Sequence, residues 1–191
     1  MIPLPVKAAI VLRVQQVGSG VLISGSGSAN TAALTSIGVD SQWTNALTDT
    51  QLYAGPDAFS DGQVSRFSGL VGPLVFGNDP ALVEYPSATG SGGDLFGILA
   101  DNGSVELILP LGYLSGASLS GISYFPVYTP SQLGLSPGQV TTWIWGSGST
   151  ADSLRLEVDG QAAAVPGPSA LPAAATGFCM ARRFRRRLRQ R

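Results

Sequence analysis

The sequence has no histidine, a single cysteine and few charged residues, which make up 12% of its 191 positions. Without histidine, the chain can form no histidine-based catalytic triad and no histidine metal ligand or general base. A single cysteine can form neither an internal disulfide nor a cysteine cluster for zinc or an iron–sulfur centre. These absences exclude several common enzyme classes, and we predict a domain with no cofactor and no metal site.

The few charges are separated along the chain. Residues 1–181 hold four basic residues and all twelve acidic ones, a net charge of −8, whereas residues 182–191 hold seven arginines and no acid. The formal net charge of −1 is therefore the sum of an acidic body and a strongly basic end. This separation predicts that the two parts have different surroundings.

Short strands separated by turns are the commonest pattern in the body of the chain. Residues 9–17 are rich in β-branched side chains, and the Gly-Ser-Gly that follows predicts a hairpin with 21–24. A second hairpin is predicted for 94–99 and 104–109, because the Asp-Asn-Gly between them tolerates the positive φ of tight turns. Residues 153–158 alternate between polar and apolar side chains, which is typical of a half-buried strand.

The body lacks an amphipathic helix of three turns, so the pattern predicts an all-β fold. We expect a single β-sandwich or jelly-roll-like domain over residues 9–160, preceded by a leader remnant or disordered start at 1–8. Residues 161–191 are expected to form a separate tail. With 44% hydrophobic residues, the chain can bury a substantial core.

Several regions of the body have weaker patterns. The small residues at 25–30 are expected to continue the second strand as an edge or a bulge, and 40–65 are expected to be rich in loops. Residues 68–76 predict a strand interrupted by Pro73, whereas 78–93 predict a second loop.

A calcium loop is the first candidate for metal chemistry. Asp57, Asp61 and Gly62 are spaced like the start of such a loop. However, Phe59 and Ser68 occupy positions where oxygen ligands are required. A surface turn is therefore the better interpretation of this segment.

Paired carboxylates are the second candidate, because a glycosidase needs two of them across a cleft. Asp94, Asp101 and Glu106 could in principle supply such a pair, but nothing in the sequence brings two of them together. The Gly-Ser repeats lack the Lys-Ser/Thr pair of a phosphate-binding loop. We predict that the protein is not an enzyme, with a glycoside hydrolase as the less favoured alternative.

Aromatic residues offer a possible binding surface for sugars. Trp143 and Trp145 are two residues apart and so lie on the same face of a strand. They could pack into the core, which is the favoured interpretation, or they could form a platform on which a sugar ring stacks. Tyr113 is a further candidate for such a carbohydrate-binding platform.

The end of the chain has three interpretations. The arginines could contact nucleic-acid phosphates, they could form a solvated terminus with no partner, or they could hold the C-terminus in the cytoplasm behind a membrane segment. They follow 21 uncharged residues at 161–181 and have only Phe184 among them as an aromatic. This order favours the cytoplasmic stop, and we predict no nucleic-acid partner.

As a membrane helix, the uncharged segment is short. Three prolines interrupt its first half, and 172–181 is shorter than the about 20 residues that a bilayer core requires. A transient or processed membrane segment is therefore favoured over a permanent anchor. The residues assigned to this segment are Leu171, Ala173, Ala174, Ala175, Phe178 and Met180.

The first residues do not form a complete secretory signal. Lys7 is the only basic residue ahead of the apolar run 8–12, and Arg13 ends that run after five residues. A signal needs about 7–15 apolar residues behind a basic start. We therefore expect that a signal peptide is missing from this sequence and that the natural start lies upstream.

The tail resembles a PEP-CTERM sorting signal, in which a Pro-Glu-Pro motif precedes an apolar segment and terminal arginines. Gly167 stands where the family's central glutamate would be, a variant that the family contains. The motif positions are Val165, Pro166, Gly167 and Pro168. The positions that match the family's cytoplasmic stop are Arg182, Arg183, Arg185, Arg186 and Arg187.

The body also resembles a group of small domains that carry such tails. The matching pieces occur in the same order along the chain, at 25–30, 119–121, 133–138, 143–148 and 151–154. The resemblance implies no catalytic residues, since no activity is assigned to that group.

The resemblance implies an exported protein of the cell envelope. Its partners would be an exosortase-type membrane protease, the export machinery and the membrane itself, through the tail. After cleavage near 166–168, the protein would lie at the cell surface or outside the cell, with a structural or adhesive role and extracellular polysaccharide as a partner. A carbohydrate-binding module is the alternative.

Overall fold

The computed structural model describes residues 10–41, 50–56, 63–77, 88–101 and 103–160. The predicted leader remnant, the calcium-like loop at 57–62 and the tail lie outside the described residues. The strands are β1 (Ile10–Val17), β2 (Gly20–Ser28), β3 (Thr35–Ser41), β4 (Gln51–Ala54), β5 (Gln63–Ser68), β6 (Gly90–Gly93), β7 (Phe96–Asp101), β8 (Ser104–Pro110), β9 (Ser118–Phe125), β10 (Val140–Trp145) and β11 (Asp152–Val158).

The described strands form two sheets, which confirms the all-β prediction. One sheet has six strands in the order β10-β11-β1-β2-β9-β6, and the other has five in the order β3-β5-β8-β7-β4. β1 and β11 pair in parallel, so the first and last described strands lie side by side. The helical elements in the described residues are single 3-10 turns at Thr31–Ala33, Ser131–Leu133 and Gly148–Thr150.

Alternating side chains explain why the central strands form. In β1, Ile10, Leu12 and Val14 are fully buried, whereas Arg13 between them is exposed. Gly18 has a φ of +59° in the turn that joins β1 to β2, and Gly103 has a φ of +80° between β7 and β8. Both predicted hairpins are confirmed by the pairing of these strands.

The two sheets enclose a shared core. Side chains from both contribute to it, including Leu12 and Leu156 from the six-stranded sheet and Phe96 and Leu107 from the five-stranded sheet. All four are fully buried. Their burial is the main stabilising contribution, on the order of 1.5–3 kcal/mol for each large apolar side chain.

Glycines let the two sheets approach closely at the middle of this core. Gly25 and Gly121 are direct partners across β2 and β9, and both are buried. A Cβ atom on Gly25 would lie 2.5 Å from the ring of Phe96. Nearby, the buried Ser123 hydroxyl donates to the carbonyl of Gly55 at 2.8 Å and accepts from its amide at 3.1 Å.

The weaker sequence patterns produced errors. Residues 25–28 are neither an edge nor a bulge, because β2 pairs in continuous register with β1 on one side and β9 on the other. The region 40–65 contains β4, which is too short to show alternation, and the region 78–93 ends in β6, whose sequence Gly-Ser-Gly-Gly has no strand propensity. These strands form because their neighbours pair with them.

The predicted strand at 68–76 is also wrong. β5 ends at Ser68, and the chain then crosses to the edge of β10, where Val71 and Ile144 exchange backbone hydrogen bonds at 2.8 and 3.0 Å. Gly69 adopts a φ of +108°, which breaks the extended path. The crossing segment covers part of the outer edge of the six-stranded sheet.

Candidate functional site

Both tryptophans proposed for a sugar platform are core residues. Trp143 is fully buried, its ring packs edge-to-face against Phe76 with centroids 5.3 Å apart, and its Nε1 donates to Pro73 O at 2.9 Å. Trp145 is 3% exposed, and its Nε1 donates to Asn30 O at 2.8 Å. The structure therefore shows the favoured interpretation, packing in the core, and the sugar platform at these two positions was wrong, because neither ring face is open to a ligand.

Tyr113 is also a structural residue in its described contacts. Its hydroxyl donates to Ala117 O at 2.5 Å and accepts from Ala29 N at 2.8 Å. Burial raises the pKa of the Tyr113 hydroxyl, the backbone contact at Ala29 lowers it, and the carboxylates of Asp152 and Asp94 add to the rise. Through these two hydrogen bonds, the side chain links the turn before β9 to the end of β2.

Several of the small-residue motifs from the sequence meet at this end of the sheet. Asn30 N donates to the buried carboxylate of Asp152 at 2.6 Å, and Asn30 Nδ2 donates to Ser149 O at 3.3 Å. Together with Trp145 on Asn30 O, these contacts tie the segments near 30, 145 and 152 into one cluster. The cluster satisfies its own polar groups, so its role is to hold the fold together.

The carboxylates proposed for a glycosidase pair have structural partners as far as they are described. Glu106 lies in the five-stranded sheet and is 4% exposed; its two oxygens accept from Arg66 Nε and Nη2 at 2.6 and 2.8 Å. These hydrogen bonds raise the pKa of the Arg66 guanidinium. Asp94 accepts from Ser120 N at 3.0 Å, and the side chain of Asp101 lies outside the described set.

Within the described parts of the chain, no group of three acidic or cysteine side chains is placed to hold a metal ion. No helix among the same residues is long and apolar enough to cross a membrane.

An open depression lies on the outer face of the six-stranded sheet. We name it the outer-face depression; it has a volume of about 400 Å³. It arises because β2 presents short serines outward, while β1 presents larger side chains beside them. The depression is lined by Val11, Arg13, Ser24, Gly25, Ser26, Ser120, Gly121 and Ile122.

Hydroxyl groups form the floor of this depression. Ser26 and Ser120 are direct partners across β2 and β9. Ser24 lies opposite Ile122, which is the next pair on the same face along these two strands. In the described part of the chain, the hydroxyls of these three serines have no hydrogen-bond partner. Exposed hydroxyls in fixed positions can donate to and accept from a polyhydroxylated ligand.

An apolar side chain flanks the hydroxyls. Ile122 lines the depression and is 48% exposed. Tyr124, two residues further along β9, lies outside the lining, because its phenol group lies across Gly20 at the other end of β2. An apolar side chain beside hydroxyls matches the alternating surfaces of a sugar ring.

Two arginines border the depression on its other side. Glu157 Oε2 lies 3.2 Å from Arg13 Nε, and Glu157 Oε1 lies 3.1 Å from Arg155 Nε. The first contact is a hydrogen bond, whereas the Nε of Arg155 lacks hydrogen-bond alignment to any described partner. Because these side chains are partly exposed, the ion pairs contribute only about 0–1 kcal/mol each.

Sequence reasoning missed this face. The alternation from Leu119 to Phe125 does place Ser120, Ile122 and Tyr124 on one side of a strand. What it does not reveal is that β2 lies next to β9 and adds Ser24 and Ser26 to the same surface.

Comparisons of the chain with protein-family models, with curated proteins and with solved structures find no match.

Proposed function

We propose that the protein is an exported component of the cell envelope or extracellular matrix, sorted by its C-terminal tail and adhesive in its mature form. In this proposal, residues 9–160 form a β-sandwich of jelly-roll-like type outside the membrane. The tail at 161–191 holds the chain until an exosortase-type protease cleaves near 166–168. The mature protein then lies at the cell surface or outside the cell.

The observation that carries the sorting proposal is the order of charges along the chain. Seven arginines follow 21 uncharged residues, and the body before them has a net charge of −8. Arginines that flank an apolar segment favour the cytoplasmic side of a membrane. The Pro-Gly-Pro at 166–168 precedes the apolar segment, as a processing motif would.

The terminal arginines provide the direct test. Replacement of Arg182, Arg183, Arg185, Arg186 and Arg187 by serine, in the gene at its natural locus, should abolish retention and processing because the stop loses five of its seven charges. Cell fractionation and the mass of the released protein measure both effects. The same five positions changed to lysine should behave like the natural protein, since lysine keeps the charge. Unchanged localisation of the serine variant would contradict the proposal.

The adhesive role is assigned to glycan binding in the outer-face depression. The open hydroxyls of Ser24, Ser26 and Ser120, flanked by Ile122, support a polyhydroxylated ligand. In this proposal, the carbohydrate-binding alternative uses the outer face of the sheet. The buried tryptophans have no part in it.

Blocking the depression tests glycan binding. Ser26 is exposed at the floor, so Ser26→Tyr should fill the space without disturbing the core and should weaken binding at least about tenfold. Glycan-array binding and titration of the full chain measure the effect. Val39→Tyr is the matched control, because Val39 is 55% exposed on β3 of the other sheet, away from the depression. Equal binding by both variants would rule out this site.

A further inference from the structure

We propose that the glycan is acidic, and that Arg13 and Arg155 bind its carboxylates at the β1 border of the outer-face depression. This inference rests on the proposed glycan site and adds the chemical class of the ligand. The geometry that carries it is a pair of guanidinium groups that share a single carboxylate beside a row of open hydroxyls.

The registers of the strands place the two arginines beside the depression. Arg13 lies opposite Ser24 across β1 and β2, and it lines the depression directly. Arg155 lies opposite Val11, which is the next lining residue along the same border. Both guanidinium groups are therefore on the same outer face and at the same side of the hydroxyl floor.

Each of the two guanidinium groups has N–H donors that its contact with Glu157 does not use. Each approaches Glu157 through its Nε, and in the described part of the chain their terminal amino groups make no hydrogen bond. The side chains of Arg13 and Arg155 are 58% and 44% exposed, so a ligand can reach them. Paired amino groups of this kind bind a carboxylate through two parallel hydrogen bonds.

Neighbouring carboxylates orient the bound ligand by charge repulsion. Asp94 is at the opposite border, where it accepts from Ser120 N, and Asp159 is held by Gln15 Nε2 at 2.9 Å. Repulsion from Asp94 directs the acidic group of a sugar towards Arg13, and neutral hydroxyls then face Ser120. The distance from β1 to β9 is about 10 Å, or two strand spacings, which places the carboxylate and the distal hydroxyls on different parts of the ligand.

The experiment compares polygalacturonate oligomers with the same oligomers as methyl esters, which differ only in the charge of the carboxyl group. The protein is the full chain with all seven terminal arginines changed to serine, because those arginines would bind any polyanion. Calorimetric titration should give at least tenfold tighter binding of the free acid. This comparison requires no substitution in the sheet, so it does not depend on the folding of a variant.

Variants then locate the effect. Arg13→Gln with Arg155→Gln should remove the preference for the acid, so that the free acid and the ester bind this variant with equal affinity. Glu157→Gln should instead tighten binding of the acid several-fold, because the ligand no longer competes with an internal carboxylate. Arg13→Lys with Arg155→Lys keeps both positive charges and should keep a preference for the acid, which the glutamine variant loses.

The outcomes separate this inference from the glycan site itself. Equal affinity for acid and ester, with loss of both in Ser26→Tyr, would overturn the acidic ligand and leave the glycan site standing. A preference for the acid that survives the double glutamine substitution would also overturn it. Absence of binding to both oligomers, together with no hit on a glycan array, would remove the site and the inference together.

Discussion

Replacement of Gly121 by valine is expected to destabilise the domain severely. Gly121 lies in β9 and faces the five-stranded sheet, and a Cβ there would overlap the carbonyl oxygen of Asp94. The same atom would lie 3.1 Å from the backbone of Ala54 and Gly55. Because all of these neighbours are backbone atoms, no rotamer change relieves the overlap. We expect a loss of about 3 kcal/mol or more, against a total stability of about 5–15 kcal/mol.

Denaturant unfolding followed by far-UV circular dichroism measures this loss. Gly92→Val provides the matched control, because a Cβ on Gly92 meets nothing within 4 Å and Gly92 also lies in a strand of the same sheet. We expect the control to change the unfolding free energy by no more than about 0.5 kcal/mol. Equal unfolding midpoints for the two variants would show that the sheets do not approach through Gly121.

The distribution of glycine and serine explains which strands the sequence could predict. β1, β11 and the β7–β8 hairpin have alternating or β-branched side chains, so their pattern is set by which face is buried. β6 and the second half of β2 consist of glycine and serine, which carry no such pattern. Their strand conformation comes from pairing with β9, a contact between distant parts of the chain. Local propensity contains no information about that pairing.

The candidate site was only partly predictable, because local sequence does not determine burial or the pairing of distant strands. The sequence identified aromatic residues as possible sugar contacts, but burial decides which of them is accessible, and Trp143 and Trp145 lie inside the core. Their indole nitrogens each find a backbone carbonyl, which removes the usual cost of burying a polar group. The hydroxyls of the outer-face depression come from β2 and β9, which only tertiary pairing brings together.

The second large effect is expected at the ion pair between Arg66 and Glu106. Arg66→Met should destabilise the domain by about 3–5 kcal/mol, because it leaves the carboxylate of Glu106 nearly buried without its cation. Substitution of both residues, Arg66→Met with Glu106→Leu, should restore most of that loss. Removal of both charges eliminates the cost of burying them. The coupling energy of the pair is the loss in the double variant minus the losses in Arg66→Met and in Glu106→Leu alone.

An exposed ion pair provides the comparison for this loss. Arg13→Met is the control, since Arg13 forms an exposed pair with Glu157 and should cost at most about 1 kcal/mol. Two results would contradict a buried and coupled pair. One is a loss of stability in Arg66→Met as small as that in Arg13→Met. The other is a double variant whose loss equals the sum of the losses in Arg66→Met and Glu106→Leu.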